Sequence, residues 1–144
     1  MKLKSRIYFN NDDVLTMCYN LEYEAAKVNP ELIVGIKRGG LVPAVHLSHA
    51  LSRPMEVLTW QTRDDKRQDH NAMIQDVLDQ GGKVLFIDDI NDTGKTIKTI
   101  REHYNNDNCI FMTMVEKTTS EIRVDATALR FDDERWVVFP WEKV

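Results

Sequence analysis

The stretch VLFIDDINDTGKT, residues 84–96, decides how this chain is read. Its first four residues are apolar, the mark of a buried strand. Its last three, Gly94-Lys95-Thr96, are the closing letters of a nucleotide-binding P-loop. That pattern needs a glycine five residues before Gly94, and the residue there is Asp89. An aspartate lacks glycine's backbone freedom and would face the phosphates, so the P-loop reading is excluded. On its own chemistry the stretch is a strand ending at Ile87, a turn, and a helix starting near Lys95. Amides at a helix N-terminus, with the Thr93 and Thr96 hydroxyls, suit one phosphate, and Gly94 allows close approach. Asp88 and Asp89 stand just before it. Carboxylates accept hydrogen bonds from sugar hydroxyls and help hold a hard cation such as Mg²⁺. A sugar phosphate carrying a second, metal-bound phosphate group satisfies both halves of the stretch.

Working outward, apolar runs alternate with segments of helical period. Residues 12–28 place Val14, Met17, Leu21 and Val28 on one face behind the capping-type residues Asn11 and Asp12. LIVGI (32–36) reads as a buried strand, broken by Lys37-Arg38-Gly39-Gly40. Residues 41–51 read as a helix with Pro43 in its first turn, and 55–60 as the next strand. A polar segment follows at 61–71. A helix then carries Met73, Ile74, Val77 and Leu78 and is ended by Gly81-Gly82. The helix 95–104, a strand at 109–115 and two short strands, ATALRF and WVVF, complete the chain. Such alternation predicts an α/β fold with a mainly parallel twisted sheet flanked by helices, with residues 1–144 forming a single domain. Ligands of such sheets sit beyond the carboxyl ends of the strands. The loops 37–40, 88–96 and 116–120 fall there.

Composition narrows the function classes. Of 144 residues, 42% are hydrophobic and 29% charged, which is ordinary for a soluble globular protein. No window approaches the roughly 18 apolar residues of a membrane span, so no integral membrane segment is expected. MKLKSRIYFN has no apolar run behind its basic residues and makes a poor signal peptide. The net charge of −4 argues against a broad cationic face for nucleic acid. Cys18 and Cys109 form no CxxC pair and read as buried thiols of a reducing cytoplasm. His46 and His49, three apart on a helix, have no third ligand at supporting spacing and read as ordinary helix residues.

An apolar strand, two acids, two spacers, then Asp-Thr-Gly and a later Thr: the stretch 84–96 resembles the phosphoribosyl pyrophosphate (PRPP) signature of the type I phosphoribosyltransferases. Upstream, IVGIKRGGLVPA (33–44) is similar to that family's pyrophosphate loop, which often holds a non-proline cis peptide. VEKT (115–118) and RWVVFPWE (135–142) resemble the purine-binding region of the xanthine-guanine and hypoxanthine phosphoribosyltransferases. The resemblance implies the type I fold with a small C-terminal hood over the base. It implies that Asp88 and Asp89 serve the ribose hydroxyls and Mg²⁺, and that Asp92, Thr93, Gly94, Lys95 and Thr96 wrap the 5′-phosphate. Lys37, Arg38, Gly39 and Gly40 would bind pyrophosphate. Arg63, Lys66 and Arg67 would belong to a flexible loop closing over PRPP. Lys117 would donate to the 6-oxo group of a purine, Trp136 would stack on its ring, and Asp92 would act as general base. The implied reaction transfers 5-phosphoribosyl from PRPP to guanine, xanthine or hypoxanthine. Another base, or a non-enzymatic sensor of PRPP or nucleotides, remains open at this point. A homodimer or homotetramer is expected by the same resemblance.

Overall fold

The computed structural model describes residues 5–60, 68–69 and 71–143. In chain order the elements are β1 (Arg6–Tyr8), α1 (Asn11–Val28), β2 (Leu32–Ile36), α2 (Leu41–Leu51), β3 (Met55–Trp60), β4 (Gln68–Asp69), α3 (Ala72–Asp79), β5 (Val84–Asn91), α4 (Lys95–Tyr104), β6 (Cys109–Lys117), β7 (Ala126–Phe131) and β8 (Trp136–Val138). The main sheet runs β4-β3-β2-β5-β6-β7. Its five strands β3 to β7 are parallel in that order, and β4 is added antiparallel at the edge.

All five residues of β2 are buried, because helices cover both faces of a parallel sheet. Alternate residues divide between two cores. Ile33, Leu85, Ile87, Met112 and Met114 pack with α1 and α2 on one side. Leu32, Val34, Val84, Phe86 and Phe111 pack with α3 and α4 on the other. Phe86 and Phe111 stack there at 4.9 Å. Leu21 of α1 is 1% exposed, and burying such a side chain stabilises the fold by about 1.5–3 kcal/mol.

Several boundaries differ from the sequence expectation. The cap of α1 is Asn10, not Asn11 or Asp12: its side chain accepts from Asp13 N while Asp13 Oδ2 accepts from Asn10 N. This reciprocal pair satisfies two amides that the helix leaves unpaired. Strand β5 does not stop at Ile87. It continues to Asn91, because Asp88, Ile90 and Asn91 keep their register against Thr113, Val115 and Glu116 of β6. Strand β6 likewise runs on to Lys117. The two final strands part company, since β7 joins the main sheet while β8 pairs in parallel with β1 outside it. The expected hood was wholly C-terminal, whereas β8 takes its partner from the N-terminus, where β1 had no signal in the sequence.

In order of appearance along the parallel part of the chain, the sheet order is second, first, third, fourth, fifth. The reversal lies between β2 and β5, and a crevice opens at their carboxyl ends.

Candidate active site

The crevice is lined by the two loops that follow β2 and β5. After Ile36 the chain turns through Lys37–Gly40, with Gly40 N donating to Ile36 O at 3.0 Å. The Lys37–Arg38 peptide is cis. A methyl group on Gly39 would overlap the Asp89 carboxylate, and one on Gly40 would meet the carbonyls of Ile87 and Ile36. Both glycines are thus demanded by close approach, and they bring this loop flush against the acidic end of β5. Lys37, Arg38, Gly39, Asp88 and Asp89 share a cavity of about 770 Å³, within the roughly 300–1,000 Å³ usual for small-ligand sites.

Asp88 and Asp89 lie inside β5 and are half-buried. Burial, the negative charge of Asp89 and a side-chain hydrogen bond that the protonated Asp88 donates to it hold the Asp88 carboxyl well above its usual range. Burial also raises Asp89, with the Glu142 charge adding to it, although hydrogen bonds from Asp88 and Ile90 N pull the other way. Two adjacent carboxyls held above their usual range by burial and by each other are stabilised as carboxylates by positive charge brought beside them. Among the described residues no cluster of three or more His, Cys, Asp or Glu is arranged to hold a metal. The pair therefore fits a hard cation that takes one or two carboxylates and completes its shell with ligand oxygens and water, as Mg²⁺ does.

Asp92, Thr93, Gly94 and Lys95 line a second cavity of about 480 Å³, closed on its other side by Thr119, Glu121 and Ile122. Gly94 caps α4 at φ +95°, in the left-handed region, and offers no side chain to the helix amides. Beyond Lys95 N, the first-turn N–H groups of α4 are left for a ligand, and anions suit them. Thr93 Oγ1 accepts from Lys95 N at 3.3 Å.

A third, narrow slot brings Asp89, Asp92, Lys117, Trp136, Phe139 and Glu142 together. Lys117, the last residue of β6, is 9% exposed. Its Nζ donates to Arg135 O at 2.9 Å, which leaves two of three ammonium donors. Trp136 is 53% exposed although Val137 and Val138 beside it are buried, so its indole is held at the mouth rather than in the core. Trp141 lies flat on Phe139 at 4.8 Å and borders the Arg38–Asp88 cavity.

Of the candidate residues within the described part, Lys37, Arg38, Gly39, Asp88, Asp89, Asp92, Thr93, Gly94, Lys95, Lys117 and Trp136 line these three adjoining cavities, Gly40 lies on the turn after β2, and Thr96 lies in the first turn of α4, off all three. The predicted loop residues Arg63, Lys66 and Arg67 lie outside the described residues. His46 belongs elsewhere: its Nε2 pairs with Glu22 Oε2 at 3.2 Å between α2 and α1. Sequence reasoning missed Glu142, which borders two of the cavities, and treated Asn91 as a spacer. It also passed over Glu116. The signal for Glu116 was present: a lone acid at the end of an otherwise apolar strand, beside the lysine of interest.

Residues 9–143 match the family model described as phosphoribosyl transferase domain. A xanthine-guanine phosphoribosyltransferase of Cereibacter sphaeroides is 30% identical over 115 residues, 76% of this chain and 68% of the relative. A purine phosphoribosyltransferase from Pyrococcus horikoshii superposes with a TM-score of 0.80 at 26% identity, over 97% of this chain and 96% of that one. A xanthine-guanine-hypoxanthine phosphoribosyltransferase of Helicobacter pylori shares the fold, with a TM-score of 0.68 at 18% identity over 94% of each chain. The glycine-bearing loop that meets an acidic strand end beside the start of α4 belongs to a chain that is a member of the phosphoribosyl transferase family and an enzyme of that class.

Proposed function

We propose that this enzyme transfers the 5-phosphoribosyl group of PRPP to N9 of a 6-oxopurine, releasing pyrophosphate and the nucleoside monophosphate. One observation carries the reading: the slot holding Lys117 and Trp136 opens directly onto Asp89 and Asp92, the acids bordering the other two cavities. A base, a ribose and two phosphate groups then have contiguous places.

In the reaction the bond from the ribose C1′ to pyrophosphate oxygen breaks, and the bond from C1′ to N9 forms. Arg38 and the amides of Gly39 and Gly40 receive the leaving pyrophosphate. Asp88 and Asp89 address the ribose hydroxyls and hold Mg²⁺, which when bound neutralises charge on the pyrophosphate oxygens. Residues 92–96 hold the 5′-phosphate. Asp92, exposed at the end of β5, accepts the proton that the purine gives up at N7. Lys117 donates to O6, a position where adenine presents an amino donor instead, and Trp136 stacks on the ring. The same reading makes residues 1–144 one catalytic domain acting in the cytoplasm as a homodimer or homotetramer. Two buried free thiols suit a reducing compartment, and among the described residues no helix is long and apolar enough to cross a membrane.

The test is nucleotide formation from PRPP and Mg²⁺, with guanine, xanthine, hypoxanthine, adenine, uracil and orotate supplied separately and products separated by chromatography. Product from the 6-oxopurines alone is expected. Product only from another base would remove the assigned roles of Lys117 and Trp136. PRPP binding with no product from any base would replace transfer with sensing. Asp92→Asn should lower kcat at least about a hundredfold, the usual worth of general base catalysis, while PRPP still binds.

A further inference from the structure

Among the described residues Glu116 is the one carboxylate with no exposure. It stands at the centre of a cross-strand row. Asn91 of β5 and Arg130 of β7 are its register partners on either side. Its Oε2 accepts from Asn91 Nδ2 at 3.0 Å and from Val124 N at 2.7 Å. Its Oε1 accepts from Arg130 Nη2 at 3.2 Å and has Arg123 Nη1 at 3.9 Å. A buried acid with four cationic or amide neighbours is a hub whose loss leaves several groups unpaired.

The hub faces a loop. Asn91 Nδ2 also donates to Ile122 O at 2.6 Å, and Glu121 N donates to Thr93 O at 3.1 Å. A methyl group on Gly94 would stand 2.8 Å from Ile122 N and 2.9 Å from Ser120 Oγ. The segment 118–124 is therefore pressed onto the Thr93–Gly94 turn, and it forms the outer wall of the phosphate-type cavity. Glu116 holds the exit of that segment through Val124, and holds Asn91, which bonds the segment at Ile122 O and stands one residue before Asp92.

We propose that Glu116 is the positioning residue that fixes this wall and so sets affinity for the 5′-phosphate of the ribosyl donor. The proposal rests on the transferase reading above, because that reading places the 5′-phosphate there. Glu116 does not touch the ligand. It acts through Asn91 and the 118–124 segment. The pyrophosphate side of the site, Lys37–Gly40, has no bond to the hub, and its affinity is independent of it.

The experiment compares wild type with Glu116→Gln and Asn91→Ala by calorimetry, in magnesium-containing buffer. The probes are ribose 5-phosphate and inorganic pyrophosphate. Loss of charge-assisted positioning bonds predicts that ribose 5-phosphate binding weakens about tenfold in both variants. Pyrophosphate binding should change less than about twofold, and KM for PRPP should rise with kcat nearly constant. Unchanged ribose 5-phosphate binding in folded variants overturns the proposal. So does an equal weakening of both probes, which would mean general loosening. Should Glu116→Gln fail to fold, Asn91→Ala alone decides. A wild-type enzyme that makes no nucleotide refutes the transferase reading instead, and the two-probe comparison still decides the role of Glu116.

Discussion

Gly39→Ala should destabilise the protein by about 1–3 kcal/mol through a single contact, the range seen for overpacking in tight sites. The added methyl would overlap the Asp89 carboxylate and stand 3.1 Å from Asp89 Cβ. Gly39 has no positive φ, so backbone conformation is not the source of the cost. Asp89 has little room to yield, because its Oδ1 accepts from Ile90 N and its amide donates to Asp88 Oδ1, both at 2.8 Å. Turning the carboxyl off its rotamer costs about 0.5–1.5 kcal/mol, and losing the Ile90 bond adds roughly 1 kcal/mol. For a chain of this size the melting temperature should fall by about 3–10 °C. The assay is urea unfolding followed by tryptophan fluorescence, in wild-type and Asp89→Ala backgrounds. Removing the carboxylate leaves nothing nearer than 3.1 Å, so Gly39→Ala should cost below about 1 kcal/mol there. A coupling of at least about 1 kcal/mol is then expected between the two positions. Gly81→Ala is the control: it sits at φ +80° with open space around it, and should cost about 1 kcal/mol in either background. Equal costs for Gly39→Ala in both backgrounds would falsify the assignment of the clash to Asp89.

The remaining predictions use other parts of the site and core. Asp88 and Asp89 bind protons more tightly folded than unfolded, chiefly through burial. Their contribution to stability is full below the usual carboxylate value of 3.8 and is lost as pH rises through their raised folded values. In metal-free urea unfolding, wild type should therefore lose stability relative to Asp88→Asn as pH rises from about 4 to about 8; parallel profiles would count against it. Burial pushes the Cys18 and Cys109 thiols up to about 11, so a thiol-reactive disulfide at neutral pH should label native protein at least roughly a hundredfold more slowly than urea-unfolded protein. Trp136→Ala should raise the KM for the base about tenfold and leave the KM for PRPP unchanged. With the side chain at the surface, it should alter stability by less than about 0.5 kcal/mol; a large stability loss with normal base KM would mean Trp136 is a packing residue.

How much of this was legible depended on what kind of force set each feature. LIVGI was readable residue for residue, because a strand covered on both faces must be apolar throughout. The carboxyl end of β5 was not. Three acids in five residues look like the end of a strand, yet backbone pairing with β6 carries on beneath them. The ladder bonds belong to the main chain and do not require apolar side chains where the sheet meets a crevice. For the same reason Asn91 looked like a spacer: its role lies in a cross-strand row with Glu116 and Arg130, and register is invisible until strands are placed. β1 has three residues, too few for any period, and its partner β8 lies at the other end of the chain.

Lys117 and Trp136 came from resemblance rather than periodicity, and the physical reason they meet is topological. Lys117 ends β6, while Trp136 opens a strand whose ladder partner among the described residues is β1. A bond between Lys117 Nζ and Arg135 O ties the residue before β8 to the sheet. The same logic joins the two motifs that could be read locally. β2 and β5 are separated in sequence by two helices and two strands, yet they are neighbours at the sheet's reversal point. Anything written just after either strand is delivered to one crevice. Gly39 touching Asp89 is that rule at atomic scale: the glycine is meaningful only because an acid from a distant motif occupies the space a side chain would need. Local chemistry named the two loops, and the strand order brought them to one crevice.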